Sequence, residues 1–135
     1  MDHVRIRAPL VDEMVQHALR DAPWECCGLL AGKATDITVL KAMANVLQSP
    51  VRYAMESKAL LLFFKELRTQ GLRHLGIYHS HPSSEAYPSA TDVSESFYPE
   101  CSYFIVSLRT PESPQVRAFS ITDGRVSEQR IELIP

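Results

Sequence analysis

Near the C-terminus, QVRAFSI (residues 115–121) and RVSEQRIEL (125–133) flank the dipeptide Asp123-Gly124. Both central residues of a type I′ turn need positive φ, and Asp-Gly is one of the few pairs that supplies it, so this stretch predicts an antiparallel hairpin. A lone hairpin is marginal in water and has to join a larger sheet. SYFIVSL (102–108), rich in β-forming residues, predicts the next strand. The rest of the chain must therefore supply more strands and the layers that cover them.

Residues 3–7, HVRIR, alternate polar and apolar and read as an edge strand. Pro9 suits the first turn of an amphipathic helix carrying Leu10, Met14, Ala18 and Leu19, which should stop before Pro23. CCGLLAG and ITVLKAM, on either side of a polar turn at Lys33 to Asp36, predict a strand pair over 26–43. Ser57 to Gln70 places Leu60, Leu61, Phe63, Phe64 and Leu67 at helical spacing, with Gly71 as the C-terminal cap, and predicts a well-buried helix. HLGIYH (74–79) reads as a short strand and Ser89 to Phe97 as a short helix. Strands mixed with three helices, in neither a clean βαβ repeat nor an all-β array, predict an α/β sandwich: a mixed β-sheet flanked by helices on both faces. No repeat or composition break divides the 135 residues, so a single domain over 1–135 is expected.

Fourteen Lys and Arg against sixteen Asp and Glu give a formal net charge of −2, without the basic excess that nucleic-acid binding requires. The longest apolar run, Ala59 to Phe64, is six residues, far short of the ~20 that cross a bilayer. MDHVRIRAPLVDE carries Asp2, Arg5, Arg7, Asp12 and Glu13 and lacks the apolar centre of a secretory signal, so a cytoplasmic location is expected. Cys26, Cys27 and Cys101 are odd in number and two are adjacent, which suits buried thiols in a reducing compartment rather than disulfides.

Chemistry concentrates in GIYHSHPSSEAYPSATD (76–92). His79 and His81 are two apart at a predicted strand end, so both imidazoles point to one face and can converge on one ion. Pro82 ends the strand and the polar loop after it leaves the pair accessible. Taken alone, an HxH on an exposed strand end is often coincidence. Ser89-Ala-Thr-Asp92 has the spacing of a capping box, which needs no function. The same helix start also fixes Asp92 towards the opening, where a carboxylate complements two neutral imidazoles at zinc and leaves a fourth position open, the mark of a catalytic site. A hydrolase built this way needs a group to move protons. Glu25, just before an apolar strand, is the candidate, although a solvated turn residue after Pro23 would look the same. Glu85, Glu95 and Glu100 lie nearer in sequence but sit on predicted loop or helix surfaces. Ser89 has a second potential task, donating to the oxyanion of a tetrahedral intermediate.

His79-Ser-His81-Pro82, six residues, Ser89-Ala-Thr-Asp92, and Glu25 upstream in PWECCGLLAG together closely resemble the JAMM (MPN-domain) zinc metalloprotease family. The likeness runs over nearly the whole chain and is similar to the compact stand-alone prokaryotic members, including Asn45 with Pro50 and Tyr53 after it. The resemblance implies that His79, His81 and Asp92 bind one Zn2+, that Glu25 is the general acid/base, and that Ser89 supports the intermediate. It implies a cytidine-deaminase-like fold, without deaminase chemistry, since the HxE and PCxxC elements are missing. It also implies a substrate: a ubiquitin-like or sulfur-carrier protein cut at its C-terminal Gly-Gly, releasing cysteine or another adduct. Ser83 to Pro88 and Asn45 to Tyr53 are the expected groove walls. The alternative is a catalytically silent MPN-type module that only binds protein partners; a third reading is a purely structural zinc, closed by Cys101 or a second cysteine if the fold brings one close, or no site at all.

Overall fold

The computed structural model describes residues 3–135; Met1 and Asp2, the latter among the charges weighed against a signal segment, lie outside the described residues. The elements are β1 (His3–Arg7), α1 (Ala8–Asp21), β2 (Cys27–Lys33), β3 (Asp36–Met43), α2 (Ser57–Gln70), β4 (Arg73–His81), α3 (Ala90–Ser94), β5 (Ser102–Ser107), β6 (Gln115–Thr122) and β7 (Arg125–Ile134). Among the described residues no helix is long and apolar enough to cross a membrane.

The seven strands form one mixed sheet in the order β1-β3-β2-β4-β5-β6-β7, closed by β1 against β7. β1 runs parallel to both β3 and β7, and β4 runs parallel to β5; the other neighbours are antiparallel. The expected edge strand is therefore an internal one. Its alternation is real, with Val4 and Ile6 buried, but both flanks are occupied, and Arg5 pairs outside the core with Asp36 of β3 and Glu132 of β7.

α1 starts with Pro9 in its first turn and buries Leu10, Met14, His17 and Ala18, one face at helical spacing. That face meets Ile6, Leu30, Tyr78 and Phe104 on one side of the sheet. α2 covers the other side, where Phe63 and Leu67 pack with Leu29, Ile77 and Tyr103. Helices thus flank both faces. α2 is less buried than its composition predicts: Leu61 is 69% and Leu62 54% exposed. A helix offers only one stripe to a core, and six consecutive apolar residues overfill it. Gly71 ends α2 at φ +70°, a left-handed conformation that glycine adopts without strain, and its N–H and that of Leu72 bond back to the last turn. Asp123 and Gly124 have φ of 52° and 77°, the two positive values that the β6–β7 turn needs. The third helix is shorter than predicted, ending at Ser94 rather than reaching Phe97.

Candidate metal centre

The site is built by strand register. β2 pairs antiparallel with β4 so that Cys27 faces His79. One residue further, Cys26 N donates to Ser80 Oγ at 2.8 Å and Ser80 N to Cys26 O at 3.1 Å. Glu25, just before β2, lies close enough to His81 and Asp92 to feel their charges. Because side chains alternate along a strand, Ile77, His79 and His81 share the α2 face of β4, while Tyr78 faces α1. β4 is longer than predicted, running from Arg73 through both histidines and ending at His81, just before Pro82.

His79 Nε2 and His81 Nε2 lie 3.1 Å apart, and Asp92 Oδ2 lies 3.1 and 3.0 Å from them. Asp92 reaches them from the start of α3, where Asp92 N donates to Ser89 Oγ at 3.0 Å and Ser89 N donates to Asp92 Oδ2 at 2.9 Å. The capping box and the convergence on the histidines therefore use the same carboxylate oxygen. His81 Nδ1 lies 2.7 Å from the Glu85 carbonyl, which orients the ring with Nδ1–H donating and the Nε2 lone pair turned to Asp92 and His79. Tyr53 stacks on His79 with ring centroids 4.8 Å apart.

These three donor atoms converge closely enough to hold one cation, which would take the place of the protons between them. Tetrahedral zinc with ligands at 2.0–2.1 Å requires ligand atoms about 3.3 Å apart, so edges of 3.0–3.1 Å fit with a small expansion. Among the described residues these three are the cluster capable of holding a metal, and Cys101 does not join it; its thiol lies beside His74, 3.6 Å from Nδ1. Burial pushes the Asp92 carboxyl up, but the bonds to His79 and His81 outweigh it and hold it well below the usual carboxylate range. Burial lowers the His81 pKa, yet Asp92 and the Glu85 carbonyl outweigh that and raise it.

Glu25 is 3% exposed, and its Oε1 is buried without a hydrogen-bond partner. Burial pushes its pKa up to about 8, with His81 lowering and Asp92 raising it. A carboxyl that titrates near neutrality beside a cluster of metal-ligand type is suited to proton transfer. The competing acids stand elsewhere: Glu85 and Glu100 are exposed, and Glu95 pairs with Arg52 at 2.6 Å. All three cysteines are free and buried.

Sequence reasoning missed the Tyr53 stack, the Glu85 carbonyl and the bonds of Asn45. Only Asn45 carried a usable signal, an amide at a strand exit where Asn closes turns with its side chain. A cavity of about 410 Å³ among Arg5, Arg73 and Cys101 is not lined by His79 or His81.

The JAMM-type arrangement defines a class, and comparison with known proteins defines the family. Residues 7–122 match the Prok-JAB model, prokaryotic homologs of the JAB domain. The chain is 38% identical over 131 residues to the CysO-cysteine peptidase of Mycobacterium tuberculosis, covering 96% of this chain and 90% of that protein. It is 37% identical over 117 residues to the probable TtuB-protein conjugate cleaving protease of Thermus thermophilus, covering 86% and 74%. A protein of Desulfitobacterium hafniense, known by its solution structure, superposes with a TM-score of 0.85 at 36% identity, over 97% of this chain and 92% of that one. The chain belongs to the prokaryotic JAB-domain family and is a JAMM-type hydrolase.

Proposed function

We propose that this chain is a zinc-dependent peptidase or isopeptidase that hydrolyses the amide bond after the C-terminal Gly-Gly of a ubiquitin-like or sulfur-carrier protein in the cytoplasm. The observation that carries this reading is the triangle of His79, His81 and Asp92 with the buried Glu25 close by. The names of the relatives support the substrate class, one acting on a CysO–cysteine and the other on TtuB–protein conjugates. In this reading residues 1–135 are one JAMM/MPN-type domain with a cytidine-deaminase-like sandwich.

His79, His81 and Asp92 hold the ion through Nε2, Nε2 and Oδ2. Zinc bound there supplies a Lewis acid that activates water and polarises the scissile carbonyl. Glu25 takes the proton from the attacking water and hands it to the leaving nitrogen; burial raises its proton affinity, and a cation held by the neighbouring ligands would bring it back down towards the charged form that accepts the proton. Ser89 Oγ accepts from Asp92 N, so its own O–H remains free to donate to the oxyanion. Glycines at the end of a carrier tail let its backbone pass close to the ion where a side chain would collide.

The test is zinc content by elemental analysis of wild type, Asp92→Ala and Glu25→Gln, followed by hydrolysis of a carrier with a Gly-Gly-cysteine tail. One zinc in wild type and Glu25→Gln, none in Asp92→Ala, and hydrolysis by wild type alone is expected. A folded wild type that takes up no zinc and cuts nothing leaves the silent, partner-binding module in its place.

A further inference from the structure

We propose that Asn45 is the positioning residue that holds Glu25 in place and ties it to the loop of residues 46–54; the proposal rests on the proton-transfer role given to Glu25 above. Glu25 is not anchored at its carboxyl end, where Oε1 is buried without a partner. Its position is therefore set from its main chain. Asn45 Nδ2 donates to Glu25 O and to Arg52 O, each at 3.0 Å. Asn45 Oδ1 accepts from Leu47 N at 3.1 Å and Ala54 N at 3.2 Å. A primary amide has two donor hydrogens and an acceptor oxygen with two lone pairs, and all of that capacity is used here.

The loop closed by this amide returns to the site at three points. Ser49 O accepts from Glu25 N at 2.8 Å, so Glu25 is gripped on both sides of its α-carbon. Tyr53 stacks on His79. Arg52 pairs with Glu95 just beyond α3, the helix that presents Asp92. One side chain thus links the main chain of Glu25 to the loop that touches a metal-ligand imidazole. The donor half of the amide bridges the Glu25 and Arg52 carbonyls, the acceptor half closes the loop at Leu47 and Ala54, and the two halves can be separated. Asn45→Asp keeps both acceptor bonds but turns an oxygen towards the Glu25 and Arg52 carbonyls; Asn45→Ala removes everything.

Amide hydrogen exchange by NMR reads the coupling without metal or substrate. In Asn45→Ala, the Glu25, Leu47 and Ala54 amides should all exchange faster. In Asn45→Asp, Leu47 and Ala54 should keep their protection, while the 13C resonance of the Glu25 carbonyl, which accepts from Asn45 Nδ2 in wild type, should shift upfield as that bond is lost. On the zinc-loaded enzyme and a Gly-Gly-cysteine-tailed carrier, kcat should fall about a hundredfold in Asn45→Asp with KM and zinc content near wild type, as expected when a reacting group is displaced by about 1 Å. An unchanged Glu25 carbonyl resonance in Asn45→Asp overturns the proposal, as does unchanged kcat; if Asn45→Ala fails to fold, Asn45→Asp alone decides. A wild type without hydrolysis defeats the functional reading, while the exchange pattern and the carbonyl resonance still judge the coupling.

Discussion

The burial of Glu25 carries a stability cost that a single substitution should relieve. In an unfolded chain a glutamate is ionised at pH 7, whereas in the fold this carboxyl titrates at about 8 against an ordinary value of 4.5. The sign follows from linkage. The folded state binds the proton more tightly, so the penalty is absent below about pH 4.5, grows as the pH rises, and levels off above about pH 8. At pH 7 it amounts to about 3 kcal/mol, and at pH 5 to about 1 kcal/mol. Glu25→Gln has the shape of the protonated acid and cannot ionise. In zinc-free protein prepared with a chelator, it should melt about 10 °C above wild type at pH 7, a gap that closes towards pH 5. Zinc should shrink the gap, since a neighbouring cation favours the charged carboxylate. Calorimetric melts of both proteins at pH 5, 6, 7 and 8 test this, because the other titrations largely cancel in the difference. A gap that stays constant with pH, or a variant no more stable than wild type at pH 7, refutes the assignment of the burial cost to Glu25.

A Cβ at Gly28 would overlap the Tyr78 ring, so Gly28→Ala should lose about 1–3 kcal/mol in urea unfolding, whereas Tyr78 shortened to Leu in the same chain should recover part of it. Ser89→Ala removes the α3 N-cap and should cost about 0.5–2 kcal/mol, so its kcat must be compared on protein shown to be folded by circular dichroism. Leu61→Lys, on the outer face of α2, should change stability by no more than about 0.5 kcal/mol in the same urea assay; a larger loss would mean that this face is covered in solution.

How much was legible in the sequence differs by element, for physical reasons. α2 was readable to the residue because Gly71 can hold a left-handed φ and closes the last turn. The β6–β7 hairpin was readable from Asp123-Gly124, and the convergence of His79, His81 and Asp92 from strand alternation and a helix start. Those are local signals. Barrel closure was not legible, because nothing in HVRIR reports that its partners are Asp36–Ile37 and residues 130–134. Tyr53 lies in an irregular segment without periodicity, and its stack on His79 arises only once the loop has folded back. The burial of α2 was overread because six apolar residues in a row say nothing about which of them face outward.

The closing contact of the barrel joins the two ends of the chain: His3 aligns with Arg130 and Arg7 with Ile134, and Arg5 pairs with Glu132 across 127 positions of sequence. Contacts of such long range repay their loop entropy late, so they slow folding relative to helical domains of similar size. β1 can take its full place between β3 and β7 only once residues 125–134 are available to pair with it. Removing residues 130–134 would therefore leave β1 paired on one side only and open the ring at its β1–β7 seam.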